Sequence, residues 1–114
     1  MKEPLILVDG LDVQFFASAA DLERYVESPD VDAYRAYDSA GTRLRLIALK
    51  LSNDSSLVAH ITGVRVETDV PPVQVTEELR QVLSLEAARV GIDDSALSIE
   101  SLVSALVACT GYQK

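Results

Sequence analysis

Two short apolar runs at the start of the chain, separated by a turn, predict a β-hairpin. An apolar, β-branched run at residues 4–9 leads into the turn Asp-Gly-Leu-Asp at 9–12 and a return strand at 13–18. Gly10 suits this turn because glycine adopts a positive φ without steric cost. Residues 4–18 therefore predict two antiparallel strands.

The next apolar positions recur at helical spacing. One face of the predicted helix consists of Ala19, Leu22, Tyr25 and Val26. Ser18 is placed to cap its first turn, where acidic side chains are also favoured. The helix is expected to end near Glu27, because Pro29 disfavours a helical conformation in the residue before it.

Further strands are predicted at 33–38, 42–51, 57–61 and 64–70. Within 42–51 the apolar positions change phase between Leu46 and Ile47. Either a β-bulge at these two residues or a central strand covered on both faces would explain the change. The strand at 64–70 alternates cleanly, which is typical of a sheet with one face in water.

Two helices are predicted after Pro71 and Pro72. The first is expected to be capped by Thr76 and to end near Gly91, and the second to begin at Ser98. The order of elements predicts an α+β domain spanning residues 1–114. It would contain an antiparallel sheet of four to five strands, one helix after the first hairpin, and two C-terminal helices packed on the sheet.

The net charge of the chain limits which classes of molecule it is expected to bind. The chain has 18 acidic and 10 basic residues, a formal net charge of −8. This balance disfavours nucleic acid and anionic membranes as partners and favours a basic protein. The alternative is that acidity serves only solubility. No apolar run is long enough for a signal peptide core or a membrane span, and the single cysteine excludes an internal disulfide, so we expect a cytoplasmic protein.

The residues give little support for a metal or cofactor. Glu27, Asp30 and Asp32 offer oxygen ligands, but the spacing and central glycine of a calcium-binding EF-hand loop are absent. Zinc sites use several cysteine or histidine ligands, whereas this chain has only His60 and Cys109. We therefore expect no metal and no cofactor.

Catalytic chemistry is equally poorly supported. Cys109 follows an apolar helical segment, which predicts a buried and unreactive thiol, and His60 is the one imidazole available to activate a nucleophile. No glycine-rich phosphate-binding motif is present, and no tryptophan is available to line a sugar cleft. We therefore predict that the protein is not an enzyme.

Residues 27–38 combine acids with tyrosine and arginine, which are residue types that anchor protein interfaces. The predicted partner-binding residues are Glu27, Asp30, Asp32, Tyr34 and Asp38, with a second candidate patch at Glu67, Asp69, Glu77 and Glu78. The alternative is that the tyrosines pack in the core and keep only their hydroxyl groups at its rim.

Residues 8–46 as a whole resemble the N-terminal pattern of small acidic bacterial proteins encoded beside polymorphic or contact-delivered toxins. The pattern is F-x-S, E-x-Y, E-x-x-D-V and then Y-D-x-x-G-R-x-L. The matching residues are Phe16 and Ser18, Glu23 and Tyr25, Glu27 with Asp30 and Val31, and Tyr37, Asp38, Gly41 and Arg43. Thr42 departs from the pattern because it separates Gly41 from Arg43.

The resemblance implies an immunity protein that binds and neutralises a cognate toxin. Secreted toxins, nucleases in particular, often carry basic substrate-binding surfaces, which an acidic inhibitor would match. Two alternatives remain open at this point: a secretion chaperone or adaptor, and a homo-oligomeric structural protein. A homodimer is possible, and an exposed edge strand near residues 64–70 is a candidate surface for it.

Overall fold

The computed structural model describes residues 1–49 and 63–113. Their strands are β1 (Leu5–Asp9), β2 (Asp12–Phe16), β3 (Arg35–Tyr37), β4 (Arg43–Leu49) and β5 (Gly63–Thr68). These form one antiparallel sheet in the order β2-β1-β3-β4-β5. The helices are α1 (Ala19–Tyr25), a 3-10 helix (Ser28–Ala33), α2 (Thr76–Val90) and α3 (Ile99–Thr110). The predicted α+β class, with one helix after the first hairpin and two at the C-terminal end, is confirmed.

Strand β1 is the most deeply buried element because helices cover the sheet on both faces there. Successive side chains of a strand point to opposite faces. Ile6 and Val8 pack into one apolar cluster with residues of α2 and α3. Leu5 and Leu7 pack into a second cluster with residues of α1. Strand β1 therefore contributes to both apolar clusters.

The predicted strand at 33–38 is shorter in the structure. A 3-10 helix occupies Ser28–Ala33, and only Arg35–Tyr37 remains as β3. The N–H of Asp30 donates to the carbonyl of Glu27 at 2.8 Å, which starts the 3-10 turn. Pro29 suits this first turn because the N–H group it lacks would have no partner within the helix. The predicted strand at 57–61, with His60, lies outside the described residues.

Both explanations offered for the phase change in β4 are wrong. The pairing of β4 with β5 is continuous from Leu44 opposite Thr68 to Leu49 opposite Gly63, so the described strand contains no bulge. The strand is also not covered on both faces, since the side chains on the face opposite α1 remain exposed or half-buried. The apolar residues Ile47 and Leu49 therefore lie on an open face of the sheet.

Two of the three predicted helix caps are confirmed. The hydroxyl groups of Ser18 and Ser98 accept backbone N–H groups from the first turns of α1 and α3. The prediction for Thr76 is wrong, because α2 begins one residue earlier with Val75 as its cap. The Val75 N–H donates to the carbonyl of Gly41 at 2.8 Å, and this contact fixes where the chain enters the helix.

The segment that leads into α2 is bound to the start of β4. The Arg43 N–H donates to the carbonyl of Val73 at 2.8 Å. The Gln74 amide donates to the Thr42 hydroxyl at 2.8 Å. Thr42, the residue that departs from the resembled pattern, thus provides a specific contact to the helix-leading segment. These bonds hold the start of α2 beside the turn between β3 and β4.

Candidate functional site

An acidic surface lies around Tyr34, at the end of the sheet where β1 turns into β2. It comprises Asp9, Glu27, Asp30, Asp32 and Tyr34, and we call it the Tyr34 patch. Glu27 precedes the 3-10 helix, Asp30 and Asp32 lie within it, and Tyr34 follows it. All four carboxylate residues are exposed and Tyr34 is half-buried.

The surroundings of the Tyr34 hydroxyl group raise its pKa. Burial raises the pKa of Tyr34, and Tyr25 and the carboxylates of Asp9, Asp30 and Glu27 raise it further. Asp32, two residues before Tyr34 in the chain, is also exposed. No lysine or arginine among the described residues forms an ion pair with any carboxylate of the patch. The patch is therefore a negative surface that the described part of the chain leaves unneutralised.

Asp9 is the member of the patch that sequence reasoning missed. It belongs to the first hairpin, whereas the other acids follow α1. The two segments meet because β1 pairs with β3, with Val8 opposite Arg35. That register places Asp9 beside Tyr34. Asp9 and Tyr34 are neighbours only because of the strand order, and no local sequence motif predicts their proximity.

Asp38 does not belong to the surface on which it was predicted. The residue is only 3% exposed. Its carboxylate accepts the backbone N–H groups of Lys2 at 3.0 Å, Ala40 at 2.9 Å and Thr42 at 2.9 Å. It therefore closes the turn between β3 and β4 and ties the N-terminal segment to that turn. The expectation of an exposed Asp38 carboxylate is wrong because the local backbone donors occupy it.

The second predicted patch is a surface of mixed charge. Asp69 lies 3.2 Å from Arg43 and 3.4 Å from Arg45. Glu67 lies 3.4 Å from Arg65, and Glu78 lies 3.9 Å from Arg35. Glu77 is exposed and forms no ion pair among the described residues. Three of the four carboxylates are thus partly neutralised within the molecule, unlike those of the Tyr34 patch.

Glu78 has a further partner in Tyr37, whose ring is completely buried. The Tyr37 hydroxyl donates to the Glu78 carboxylate. Burial first, and this hydrogen bond second, raise the pKa of Tyr37 to about 12. The contact joins β3, in the centre of the sheet, to the first turn of α2. Glu78, one residue of the second patch, therefore has a structural role.

The raised pKa of Tyr37 predicts a loss of stability in alkali. The folded protein holds this proton more tightly than the unfolded chain, whose tyrosines titrate near pH 10. The stabilisation is therefore complete below about pH 10 and is lost as the pH rises to about 12, by roughly 2 kcal/mol. Urea unfolding across this range should reveal it. Tyr37→Phe should flatten that part of the profile, and an unchanged profile would contradict the assignment.

The other buried acid, Glu86, is satisfied by one neighbour. Its carboxylate accepts from Arg89 at 2.9 Å and 2.5 Å, one turn further along α2. Among the described residues no buried side-chain nitrogen or oxygen lacks a hydrogen-bond partner. Cys109 is exposed near the end of α3, so the expectation of a buried thiol is wrong. Leu106 and Val107 of the same helix contact the core, whereas the cysteine lies on the outer side.

Open clefts among the described residues include two of similar volume. One, of about 610 Å³, lies between α1 and the C-terminal segment and includes Arg24, Tyr25 and Tyr112. The other, of about 620 Å³, lies between the first turns of α2 and α3. In the described ranges no three histidine, cysteine, aspartate or glutamate side chains converge as a set able to hold a metal ion.

Comparison with models of known protein families gives no match, and neither curated proteins nor solved structures resemble the chain significantly. Across residues 1–49 and 63–113, none of the helices has the length and apolar character to cross a membrane. The candidate site therefore depends on the geometry and charge of the Tyr34 patch.

Proposed function

We propose that this protein is a non-enzymatic binding module that acts as an immunity protein, binding and neutralising a cognate bacterial toxin. The observation that carries the proposal is the Tyr34 patch, with four exposed carboxylates that no described cation neutralises. The resemblance of residues 8–46 to acidic immunity-like proteins supports the same function. The proposed place of action is the cytoplasm.

The proposed mechanism is stoichiometric inhibition. A basic surface on the catalytic domain of the toxin would be attracted by the net charge of −8 and would dock on the Tyr34 patch. Tyr34 adds an aromatic ring that can contact a lysine or arginine side chain of the toxin. The bound inhibitor would then block access of substrate to the toxin active site.

The direct test uses the product of the adjacent upstream gene as the candidate toxin. Co-expression should restore growth of cells that produce the toxin, and the two purified proteins should form a one-to-one complex in calorimetry. Absence of a complex at micromolar concentrations would contradict the proposal. A stable complex without rescue of growth would instead support a secretion chaperone or adaptor.

A further inference from the structure

The helical layer formed by α2 and α3 leaves part of the sheet uncovered. The open part, which we call the β4–β5 face, consists of Arg43, Arg45, Ile47, Leu49, Arg65, Glu67 and Asp69. Arg45 and Arg65 are 57% and 58% exposed at their side chains, and Leu49 is 37% exposed. Arginine is one of the residue types enriched in protein interfaces.

This face differs from the rest of the molecule in charge. Its three arginines oppose two carboxylates, which leaves a formal charge of about +1, whereas the whole chain carries −8. Two copies of the chain therefore repel each other over most approaches. The β4–β5 face does not share this net negative charge.

The strand register makes the face self-complementary. Arg45 lies directly opposite Glu67, and Ile47 lies opposite Arg65. A two-fold axis parallel to the strands would place β4 of one copy over β5 of the other at the same level. Arg45 would then meet Glu67 of the partner subunit, and Glu67 would meet Arg45 of the partner subunit.

We propose that the β4–β5 face is a homodimer interface in which two copies stack sheet against sheet about such an axis. On this face Glu67 forms an exposed ion pair with Arg65, and exposed pairs contribute little, so Glu67 can exchange its partner at small cost. About the same axis, Ile47 would pack against the aliphatic part of the partner subunit's Arg65. A two-strand face is narrow compared with standard interfaces, so we expect a dissociation constant on the order of 100 μM.

Pairing through the edges of the sheet is less favourable than this stacking. On β5, the outward N–H of Val66 donates to the Glu23 carboxylate of α1 at 2.8 Å. On β2, the carbonyl of Phe15 accepts the N–H of Gln113 at 2.7 Å. Each edge of the described sheet thus has a backbone group already occupied by the same chain. Edge pairing through residues 64–70, the dimer mode first considered, would have to displace Glu23.

Sedimentation analysis of charge-reversal variants tests the proposal. Arg45→Glu and Glu67→Arg should each lower dimer affinity at least about tenfold, because each places like charges together in both symmetric contacts. An equimolar mixture of the two variants should recover the dimer, since both contacts then join opposite charges. The control Arg24→Glu reverses another exposed arginine, which pairs with Asp21 on α1, and should leave the affinity unchanged.

Three results would overturn this interface: a wild-type protein that stays monomeric at about 1 mM, variants that dimerise like the wild type, or a mixture that stays monomeric. Circular dichroism on each variant checks that the fold is retained. Because the Tyr34 patch shares no residue with this face, a failure here leaves the proposed toxin binding unaffected.

Discussion

Replacing Asp38 by alanine is expected to lower the free energy of unfolding by about 3 kcal/mol. The substitution removes the acceptor for three backbone N–H groups in a buried turn. Buried donors without a partner cost more than the hydrogen bond itself contributes. Urea unfolding monitored by circular dichroism measures the change.

Two matched variants separate this effect from a simple loss of charge. Asp38→Asn keeps the oxygen that accepts from Ala40 and Thr42 but not the one that accepts from Lys2, so it should destabilise by roughly 1 kcal/mol. Asp30→Ala removes an exposed aspartate of the Tyr34 patch and should have little effect. Equal stabilities for Asp38→Ala and Asp30→Ala would contradict the structural role of Asp38.

Replacing Gly41 by alanine is expected to destabilise the protein by about 3 kcal/mol. Gly41 has a φ of +85°, which disfavours any residue with a Cβ atom. An added Cβ would also lie 2.8 Å from the Thr76 hydroxyl oxygen and 3.3 Å from the Thr76 Cα. The contact would push the start of α2 away from the turn that holds it.

Gly10→Ala is the matched control for this prediction. Gly10 also has a positive φ, +61°, but an added Cβ would meet nothing within 4 Å. Its substitution should therefore cost only the conformational term, about 1 kcal/mol. Thr76→Ala should recover part of the loss in the Gly41→Ala background, because it removes the nearest clashing atom. Equal costs at the two glycines would contradict the close approach of α2.

The elements with strong local signals were predictable from the sequence. The first hairpin has a glycine turn between apolar runs, and the serine caps of α1 and α3 precede helical patterns, so local chemistry determines them. The shape of residues 27–34 was less predictable. The acids there fit a loop or a strand entry equally well, and the 3-10 helix forms because Pro29 is compatible with its first turn.

The candidate site was predictable only in part for a different reason. Glu27, Asp30 and Tyr34 are neighbours in sequence, so their proximity is local. Asp9 joins them through the pairing of β1 with β3, which depends on the whole topology. Asp38 had a usable local signal, since an aspartate often accepts the backbone N–H two residues later in a turn. Whether the β4–β5 face stays open depends on how far α2 and α3 extend over the sheet. The periodicity of apolar residues in the sequence does not predict that extent.

The central claim is that the Tyr34 patch binds a basic partner, and stopped-flow association with the catalytic domain of the candidate toxin tests it most directly. Glu27→Lys, Asp30→Lys and Glu77→Lys all change the charge by the same amount, but only the first two alter the patch. We predict that these two slow association about tenfold at low salt and weaken its salt dependence, while Glu77→Lys changes the rate less than about twofold. Equal effects of all three variants, or no effect of any, would contradict the account.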